Sequence, residues 1–122
     1  MQLPWAYRAP AGRLLLARYE GIVVGCVALR PLSALGADVC ELRRLYVRPW
    51  ARSARIGRAL VAHALGQARH IGYRRMLLNS VPAMIHAQLI YRALGFTAIA
   101  PYDPAPPGGA PHAGVQYFER VI

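Results

Sequence analysis

The sequence predicts an α/β (α+β) fold, in which two main helices pack on a mixed, mostly antiparallel sheet. Three observations favour this class. The 122 residues are 56% hydrophobic and 16% charged, which is enough apolar material for one core and too short a chain for two. Segments with strand-like patterning alternate with two segments of helical periodicity. Turn signals rich in glycine and proline separate these segments. We therefore expect one domain over residues 1–122.

Three strands are predicted in the first half of the chain. Arg13–Tyr19 and Ile22–Leu29 are apolar runs joined by Glu20-Gly21, which is the pattern of a hairpin. After a loop, Val39–Val47 carries apolar residues on both faces. A strand of that kind is typical of the centre of a sheet, covered on both sides.

Two helices and three short strands are predicted in the second half. Apolar residues recur at helical spacing from Ile56 to Ile71, and Gly72 is a suitable stop. A second helix opens at Ser80 and Pro82 and ends at Gly95. Its apolar positions include Ile85, Leu89 and Leu94. The remaining predicted strands are Arg75–Asn79, Phe96–Ala100 and Val115–Ile122. A loop over Pro101–Gly114 separates the last two strands. A helix between two strands favours a parallel pair, and hairpins favour antiparallel edges.

Charge is strongly unbalanced. Fifteen cationic residues, all arginine, stand against five acidic ones, giving a net charge of +10 and a pI near 10.8. This balance favours an anionic partner such as nucleic acid, an anionic membrane surface or a phosphorylated cofactor. Codon bias in a GC-rich genome is the alternative explanation for arginine over lysine. No apolar run is long enough to span a bilayer and no secretory signal is found, so we expect a cytoplasmic protein. In that reducing compartment we expect Cys26 and Cys40 to be free thiols. Two cysteines alone cannot form a zinc site, so no metal site is expected.

The most informative segment is Leu45–Leu60, LYVRPWARSARIGRAL, where a strand ends in a basic turn that opens a long helix. The first N–H groups of a helix lack internal partners and lie at the positive end of its dipole, which suits a pyrophosphate. Gly57 would let the backbone approach a ligand closely. Six arginines surround the turn: Arg43, Arg44, Arg48, Arg52, Arg55 and Arg58. The alternative is an ordinary strand–helix junction with solvated arginines.

Arg52–Gly57 reads RSARIG and resembles the acetyl-CoA motif Q/R-x-x-G-x-G/A of the GNAT N-acetyltransferases. The first and last positions match, and Arg55 replaces the middle glycine. The flanking LYVRP and IGRAL are similar to the family's usual context. A second family pattern, A-x-x-x-Y-x-x-x-G-F, is met by Ala87, Tyr91, Gly95 and Phe96, and Gln116-Tyr117-Phe118-Glu119 resembles the family's last strand. The resemblance runs from about Arg13 to Ile122.

The resemblance implies a GNAT-like acyl-CoA N-acyltransferase fold. It implies transfer of an acetyl group from acetyl-CoA, the cosubstrate, to a primary amine of a small-molecule or amino-acid-like acceptor, without a metal. A bulge in the central strand would open the sheet for the thioester. The residues implied in cofactor binding are Leu45, Tyr46, Val47, Arg52, Ser53, Ala54, Arg55, Ile56, Gly57 and Arg58.

Two residues are implied in catalysis. Glu41 lies eleven residues before Arg52, which matches the general base of the family's histone-acetylating branch. The alternative is that Glu41 pairs with Arg43 or with an arginine on an adjacent strand. Tyr91 matches the tyrosine that approaches the CoA sulfur as a proton donor. The alternative is a core tyrosine with a solvated hydroxyl.

The family fold usually begins with a strand and two helices, whereas about twelve residues precede Arg13 here. We therefore expect an N-terminally truncated version of the fold, in which a second subunit of a homodimer could supply the missing wall of the acceptor site. Two other functions remain open. One is a CoA-binding domain with little or no catalysis. The other is a small basic nucleic-acid-binding protein, against which stands the absence of any helix-turn-helix, zinc-finger or RNP pattern. Neither a membrane nor a nucleic acid is an expected partner.

Overall fold

The fold is seen in a computed structural model that describes residues 9–80, 85–102 and 115–122. These ranges contain six strands and two α-helices in the predicted order, β-β-β-α-β-α-β-β. The elements are β1 (Arg13–Tyr19), β2 (Ile22–Pro31), β3 (Val39–Val47), α1 (Ile56–Ile71), β4 (Arg75–Ser80), α2 (Ile85–Ala93), β5 (Thr97–Ile99) and β6 (Gln116–Val121). Short 3₁₀ helices span Ser33–Leu35 and Pro49–Ala54. The predicted start of the second helix at Pro82 and most of the predicted loop Pro101–Gly114 lie outside the described residues.

The strands form one mixed sheet in the order β1-β2-β3-β4-β6-β5. β3 and β4 pair in parallel, and α1 is the crossover between them. The other four pairs of neighbouring strands are antiparallel. The predicted mixed, mostly antiparallel sheet with two main helices is therefore confirmed.

Four strands differ in length from the prediction. β4 extends one residue further, to Ser80, and β6 lacks the predicted end residues Val115 and Ile122. β2 continues two residues beyond Leu29, because Pro31 still pairs with Cys40 of β3. β5 is shorter than predicted, since the N–H of Phe96 donates to the carbonyl of Tyr91 and so closes the end of α2. A cross-strand pair thus sets the end of β2, whereas a local hydrogen bond at the end of α2 sets the start of β5.

The prediction that β3 is covered on both faces holds only for its first half. Val39–Leu42 is buried, whereas Arg43, Arg44 and Tyr46 are exposed. The change occurs where β3 stops pairing with β4. Covering on both faces therefore ends at Leu42.

Turn residues behave as predicted. Glu20 and Gly21 have φ values of +50° and +82°, which suit the tight turn between β1 and β2. Gly72 ends α1 at φ +111°, and its N–H donates to the carbonyls of Ala68 and Arg69. A left-handed residue at this position is a common helix stop, and glycine adopts it without a Cβ clash.

The core lies between the sheet and the two helices. α1 buries the stripe that its periodicity predicts, and Tyr91 of α2 packs against Phe118 of β6. The largest side chains sealed from solvent include Phe118, Leu29, Met76, Leu78 and Val61. The helices therefore cover one face of the sheet and meet each other along one side.

Cys26 and Cys40 are both free thiols, as predicted. Within residues 9–80, 85–102 and 115–122, neither helix combines the length and apolar character needed to cross a bilayer. The same ranges contain no group of three or more His, Cys, Asp or Glu side chains placed to hold a metal ion.

Candidate functional site

A cavity of about 490 Å³ lies where the end of β3, the start of α1 and one side of α2 meet. That volume is in the usual range of small-molecule sites. Its lining comprises Leu45, Tyr46, Val47, Arg52, Arg55, Gly57 and Arg58 from the β3–α1 segment, and His86, Ala87, Leu89, Ile90 and Ala93 from α2. The first group holds seven of the ten residues implied in cofactor binding. Of the other three, Ile56 packs against the core, and the side chains of Ser53 and Ala54 fall outside the described part.

The first turn of α1 offers uncapped backbone donors to this cavity. Arg55 is the N-cap residue, and its side chain makes no capping hydrogen bond. The helical ladder starts with the Ala59 N–H donating to the Arg55 carbonyl. The N–H groups of Ile56, Gly57 and Arg58 therefore lack partners within the helix, at the positive end of its dipole. Such an end is suited to an anion.

Arg55 adopts a left-handed backbone conformation, with φ +58° and ψ +25°. This is the position at which the acetyl-CoA motif has glycine, and a left-handed turn explains that preference because glycine has no Cβ to clash. For a residue with a side chain the conformation costs roughly 1–2 kcal/mol. Arg55 therefore keeps the motif's turn geometry under strain and adds a cation to the cavity lining.

Arginines contribute unequally to the site. The Arg52 Nε donates to the Val47 carbonyl at 3.0 Å, and its guanidinium lies 5.9 Å from the centre of the Tyr46 ring. The Arg48 Nε instead donates to the Val23 carbonyl at 2.8 Å, on β2. Of the six arginines that crowd the region of the basic turn, Arg52, Arg55 and Arg58 line the cavity, whereas Arg43, Arg44 and Arg48 do not. The cationic side chains at the cavity itself are therefore those of Arg52, Arg55 and Arg58.

Gly57 serves a packing need that its sequence context did not show. It is buried, and a Cβ added there would lie 3.1 Å from Ile90 Cδ1 and 3.6 Å from Val47 Cγ2. The missing side chain lets α2 approach the start of α1. That approach closes one wall of the cavity.

β3 leaves β4 at the level of the site. The two strands pair from Val39 opposite Arg75 only as far as Glu41 opposite Leu77. Beyond Glu41, the described residues give β3 no partner on that side. The register with β2 also slips between Cys26 and Ala28, and Arg44 has φ +59° there, so the predicted bulge is confirmed. A gap thus opens in the sheet, bordered by backbone groups of β3 that can pair with an extended amide chain.

Glu41 is a buried carboxylate with donors on both oxygens. Its Oε1 accepts from Arg30 Nη2 at 2.8 Å and Nε at 3.0 Å, and from Arg43 Nη1 at 3.4 Å. Its Oε2 accepts from the Tyr102 hydroxyl at 2.7 Å. The alternative of pairing with Arg43 and with an arginine on the adjacent strand is therefore present in the structure. The base role stays a prediction.

Tyr102 was missed by sequence reasoning, since it stands at the edge of a proline-rich segment without a local pattern. Its hydroxyl reaches Glu41 from a position 61 residues away in the chain. Its ring packs edge-on against Tyr117 of β6, with centroids 5.2 Å apart. It therefore joins the candidate site through tertiary structure alone.

The Tyr91 ring belongs to the core. It contacts Phe96 and Phe118, with centroid distances of 5.8 and 6.1 Å, and burial raises the pKa of its hydroxyl to about 12. It does not line the cavity, although Ala87 one turn earlier does. Among the described residues, the Tyr91 hydroxyl has no hydrogen-bond partner. Every fully buried side-chain polar atom of these residues does have a partner, so the Tyr91 oxygen must retain contact with solvent. Its role as a proton donor stays a prediction.

α2 supplies a wall that the sequence did not reveal. His86 and Ile90 line the cavity, and Leu89 at its edge is 61% exposed. Ile85 is 66% exposed, so two of the three apolar positions noted for this helix point outward rather than into the core. Apolar residues on the exposed side of an amphipathic helix are the sequence signal that could have indicated a binding surface on α2.

Comparison with known proteins identifies relatives over most of the chain. The sequence pattern of the acetyltransferase (GNAT) family matches residues 2–96. An uncharacterized N-acetyltransferase of Schizosaccharomyces pombe is 37% identical over 97 residues, covering 79% of this chain and 58% of that protein. The chain spans about three fifths of the length of this relative and of two others, from Escherichia coli and Azospirillum brasilense.

Solved structures share the fold. A GCN5-related N-acetyltransferase from Kribbella flavida superposes with a TM-score of 0.77 at 24% identity, covering 97% of this chain and 73% of the other. A Salmonella typhimurium structure described as an acetyltransferase with its cofactor acetyl-CoA gives a TM-score of 0.72 at 19% identity, covering 90% and 64%. At these identities the likeness shows the acyl-CoA N-acyltransferase fold.

Proposed function

Because the chain belongs to the GNAT acetyltransferase family, we propose that it transfers the acetyl group of acetyl-CoA to a primary amine of a small-molecule or amino-acid-like acceptor. One observation carries this proposal. The cavity joins the uncapped start of α1, three arginine side chains and the unpaired edge of β3. An anionic end, an amide-bearing arm and a reacting group could thus be held in sequence along one surface.

The residues present fit acetyl-CoA. The pyrophosphate would lie at the N–H groups of residues 56–58, with Arg52, Arg55 and Arg58 supplying charge. The amides of the pantetheine arm would pair with the backbone of Leu45–Val47, as an added strand does. The exposed apolar side of α2 would cover the arm's methylene groups. The acetyl-CoA described with the Salmonella structure supports this choice of cosubstrate.

Transfer requires a neutral amine and a departing thiolate. The amine nitrogen bonds to the thioester carbonyl carbon, the carbon–sulfur bond breaks, the amine loses a proton and the sulfur gains one. We assign Tyr91 as the donor of the proton that the sulfur gains, since its pKa of about 12 keeps the hydroxyl protonated throughout the physiological range. We assign Glu41 as the acceptor of the proton that the amine loses. Because arginines occupy Oε1, the proton would reach the carboxylate at Oε2, beside the Tyr102 hydroxyl.

Titration calorimetry with acetyl-CoA tests the placement of the cosubstrate. Arg58→Glu and Arg52→Glu should each weaken binding at least tenfold, because each places a negative charge beside the pyrophosphate. Arg69→Glu is the matched control, since Arg69 is an exposed arginine of the last turn of α1 and does not line the cavity. Equal affinities in all four proteins would refute the placement.

An amine panel with free-thiol release as the readout tests the activity. Acceptor-dependent thiol release would support the proposed transferase. Binding of acetyl-CoA without any release would support a CoA-binding domain instead. Salt-sensitive binding of nucleic acid without binding of acetyl-CoA would support the basic nucleic-acid-binding alternative. A cytoplasmic location and a homodimer stay predictions.

A further inference from the structure

A pair of arginines lies on the face of the sheet opposite the two helices. Cys40 and Leu42 belong to the core beneath α1, so Glu41 and Arg43, which alternate with them along β3, point to the other face. Arg30 is the cross-strand partner of Glu41 and shares that face. Arg30 and Arg43 are called the arginine pair below.

The arginine pair carries more charge than Glu41 neutralises. Two guanidinium groups meet one carboxylate, and Arg43 reaches it only at 3.4 Å. The Glu41 side chain is 3% exposed, whereas those of Arg30 and Arg43 are 32% and 41% exposed. Each guanidinium has five N–H bonds, and neither group has another hydrogen bond or ion pair with the described residues. Glu41 thus anchors a net positive group with N–H donors left over.

The position of the arginine pair relates it to the proposed reaction. Arg43 follows Glu41 by two residues, where β3 has just left β4 and the gap in the sheet begins. The helices and the core cover the other face, which also holds the cavity assigned to acetyl-CoA. On the opposite face the side chains of Arg30 and Arg43 stay partly exposed, so an acceptor bound to them would lie beside the start of the gap.

We propose that the acceptor bears a carboxylate as well as its amine, and that Arg30 and Arg43 bind this carboxylate while the amine reaches the gap. This inference rests on the proposed function and names its substrate class. Guanidinium groups bind carboxylates through paired, charge-assisted hydrogen bonds, which are shorter and stronger than neutral ones. Glu41 holds Arg30 and Arg43 side by side, since each contacts the same oxygen.

The test compares acceptors that differ only in the carboxylate. L-α-Amino acids, β-alanine and γ-aminobutyrate are each compared with the corresponding carboxamide, at saturating acetyl-CoA. The amine of a carboxamide has the lower pKa and is more often neutral, so the comparison is biased against the proposal. The best amino acid should exceed its carboxamide in kcat/KM by at least tenfold. A carboxamide that matches or exceeds every acid would overturn the proposal.

Variants of Arg43 locate the preference. Arg43→Gln should reduce the acid-to-carboxamide ratio at least fivefold, mainly through KM for the acid, and Arg43→Lys should keep part of it. A structural defect would slow both acceptors and leave the ratio unchanged. Arg69→Gln, which removes a remote exposed arginine, should retain the parent ratio. A full ratio in Arg43→Gln would overturn the assignment to Arg43.

Calorimetry separates this inference from the proposed function. The protein saturated with CoA is titrated with the best-binding amino acid of the panel and with its carboxamide, which needs no turnover. Tighter binding of the acid by the parent and loss of that difference in Arg43→Gln would support the arginine site even if no thiol were released. Thiol release with acids and carboxamides alike would uphold the transferase and overturn the carboxylate site.

Discussion

Arg30 and Glu41 face each other across β2 and β3, with Arg30 Nη2 2.8 Å from Glu41 Oε1. The carboxylate is almost sealed from solvent, while about a third of the arginine side chain is exposed. Removing one member of such a pair leaves the buried charge unbalanced, which is costly. The ion pair between Arg30 and Glu41 therefore fixes the carboxylate at the point where the sheet opens. A variant of Glu41 also changes the surroundings of its arginine partners.

Glu41→Gln should lower the rate of acetyl transfer most at low pH. A base matters most where the acceptor amine is protonated, so the deficit should shrink as the pH rises. A role of this kind is typically worth about 10²–10⁴-fold. The measurement is a pH–rate profile beside the parent, at a temperature where thermal unfolding shows both proteins folded.

Tyr102→Phe is the companion variant, because it removes the hydroxyl on Oε2 and leaves the arginines on Oε1 in place. As for Glu41→Gln, the rate of acetyl transfer by this variant should fall most at low pH. A parent-like rate and profile for Glu41→Gln would show that Glu41 is only a partner of the arginines.

Tyr91→Phe should lower kcat with little change in the affinity for acetyl-CoA. A proton donor to the sulfur acts after the amine has attacked, so its loss affects the chemical step rather than the binding of acetyl-CoA. We expect a loss of about 10²–10⁴-fold in kcat. Parallel calorimetry separates this effect from weaker binding. Normal turnover would place Tyr91 in the core alone, with the sulfur taking its proton from water.

Alkaline pH should destabilise the fold through Tyr91 and Cys40. Burial raises the pKa of Tyr91 from 10.0 to about 12 and that of Cys40 from 9.0 to about 12. A pKa raised on folding contributes stability that is present below the unfolded value and is lost as the pH rises through the folded one. For Tyr91 the window is therefore pH 10 to 12, and for Cys40 it is pH 9 to 12.

Urea unfolding at pH 8 and pH 11 measures this loss. Between these pH values the parent should lose about 1 kcal/mol more than Tyr91→Phe, since the phenylalanine variant lacks the titrating hydroxyl. An equal loss in both proteins would mean that the Tyr91 hydroxyl ionises as readily in the fold as in the unfolded chain.

Arg55→Gly should relieve backbone strain and weaken the binding of acetyl-CoA. Glycine accepts the left-handed turn freely but costs more entropy on folding, so the net gain in stability should be within about 1 kcal/mol. Affinity should fall because a cation leaves the cavity. Arg55→Ala removes the cation and keeps the strain, which separates the two effects. Tighter binding by Arg55→Gly would show that the arginine obstructs the phosphate cradle.

Local signals predicted the parts of the fold that short-range physics decides. The stripe from Ile56 to Ile71 and the stop at Gly72 follow from helical periodicity and a left-handed cap, and both ends of α1 lie where predicted. The turn at Arg55 could also be placed from its motif. These features depend on residues within one or two turns of each other.

The rest of the site depends on contacts between distant segments. Ile90 reaches the cavity because Gly57 lets α2 approach α1, and no pattern around either residue shows that approach. Tyr102 meets Glu41 only when β3 and the segment after β5 come together. Arg43 belongs by sequence to the basic turn, yet strand alternation directs it to the opposite face.

Acetyl transfer from acetyl-CoA to an amine yields two products, and measuring both in one reaction gives the sharpest test of the proposed function. The protein is incubated with acetyl-CoA and an amine panel, free thiol is titrated, and the N-acetylated amine is quantified by mass spectrometry. We expect one N-acetylated amine for each thiol released, and strongly reduced amounts of both in Arg58→Glu at subsaturating acetyl-CoA. Thiol release without an acetylated amine, or no release from a protein that binds acetyl-CoA, would contradict the proposed acetyl transfer.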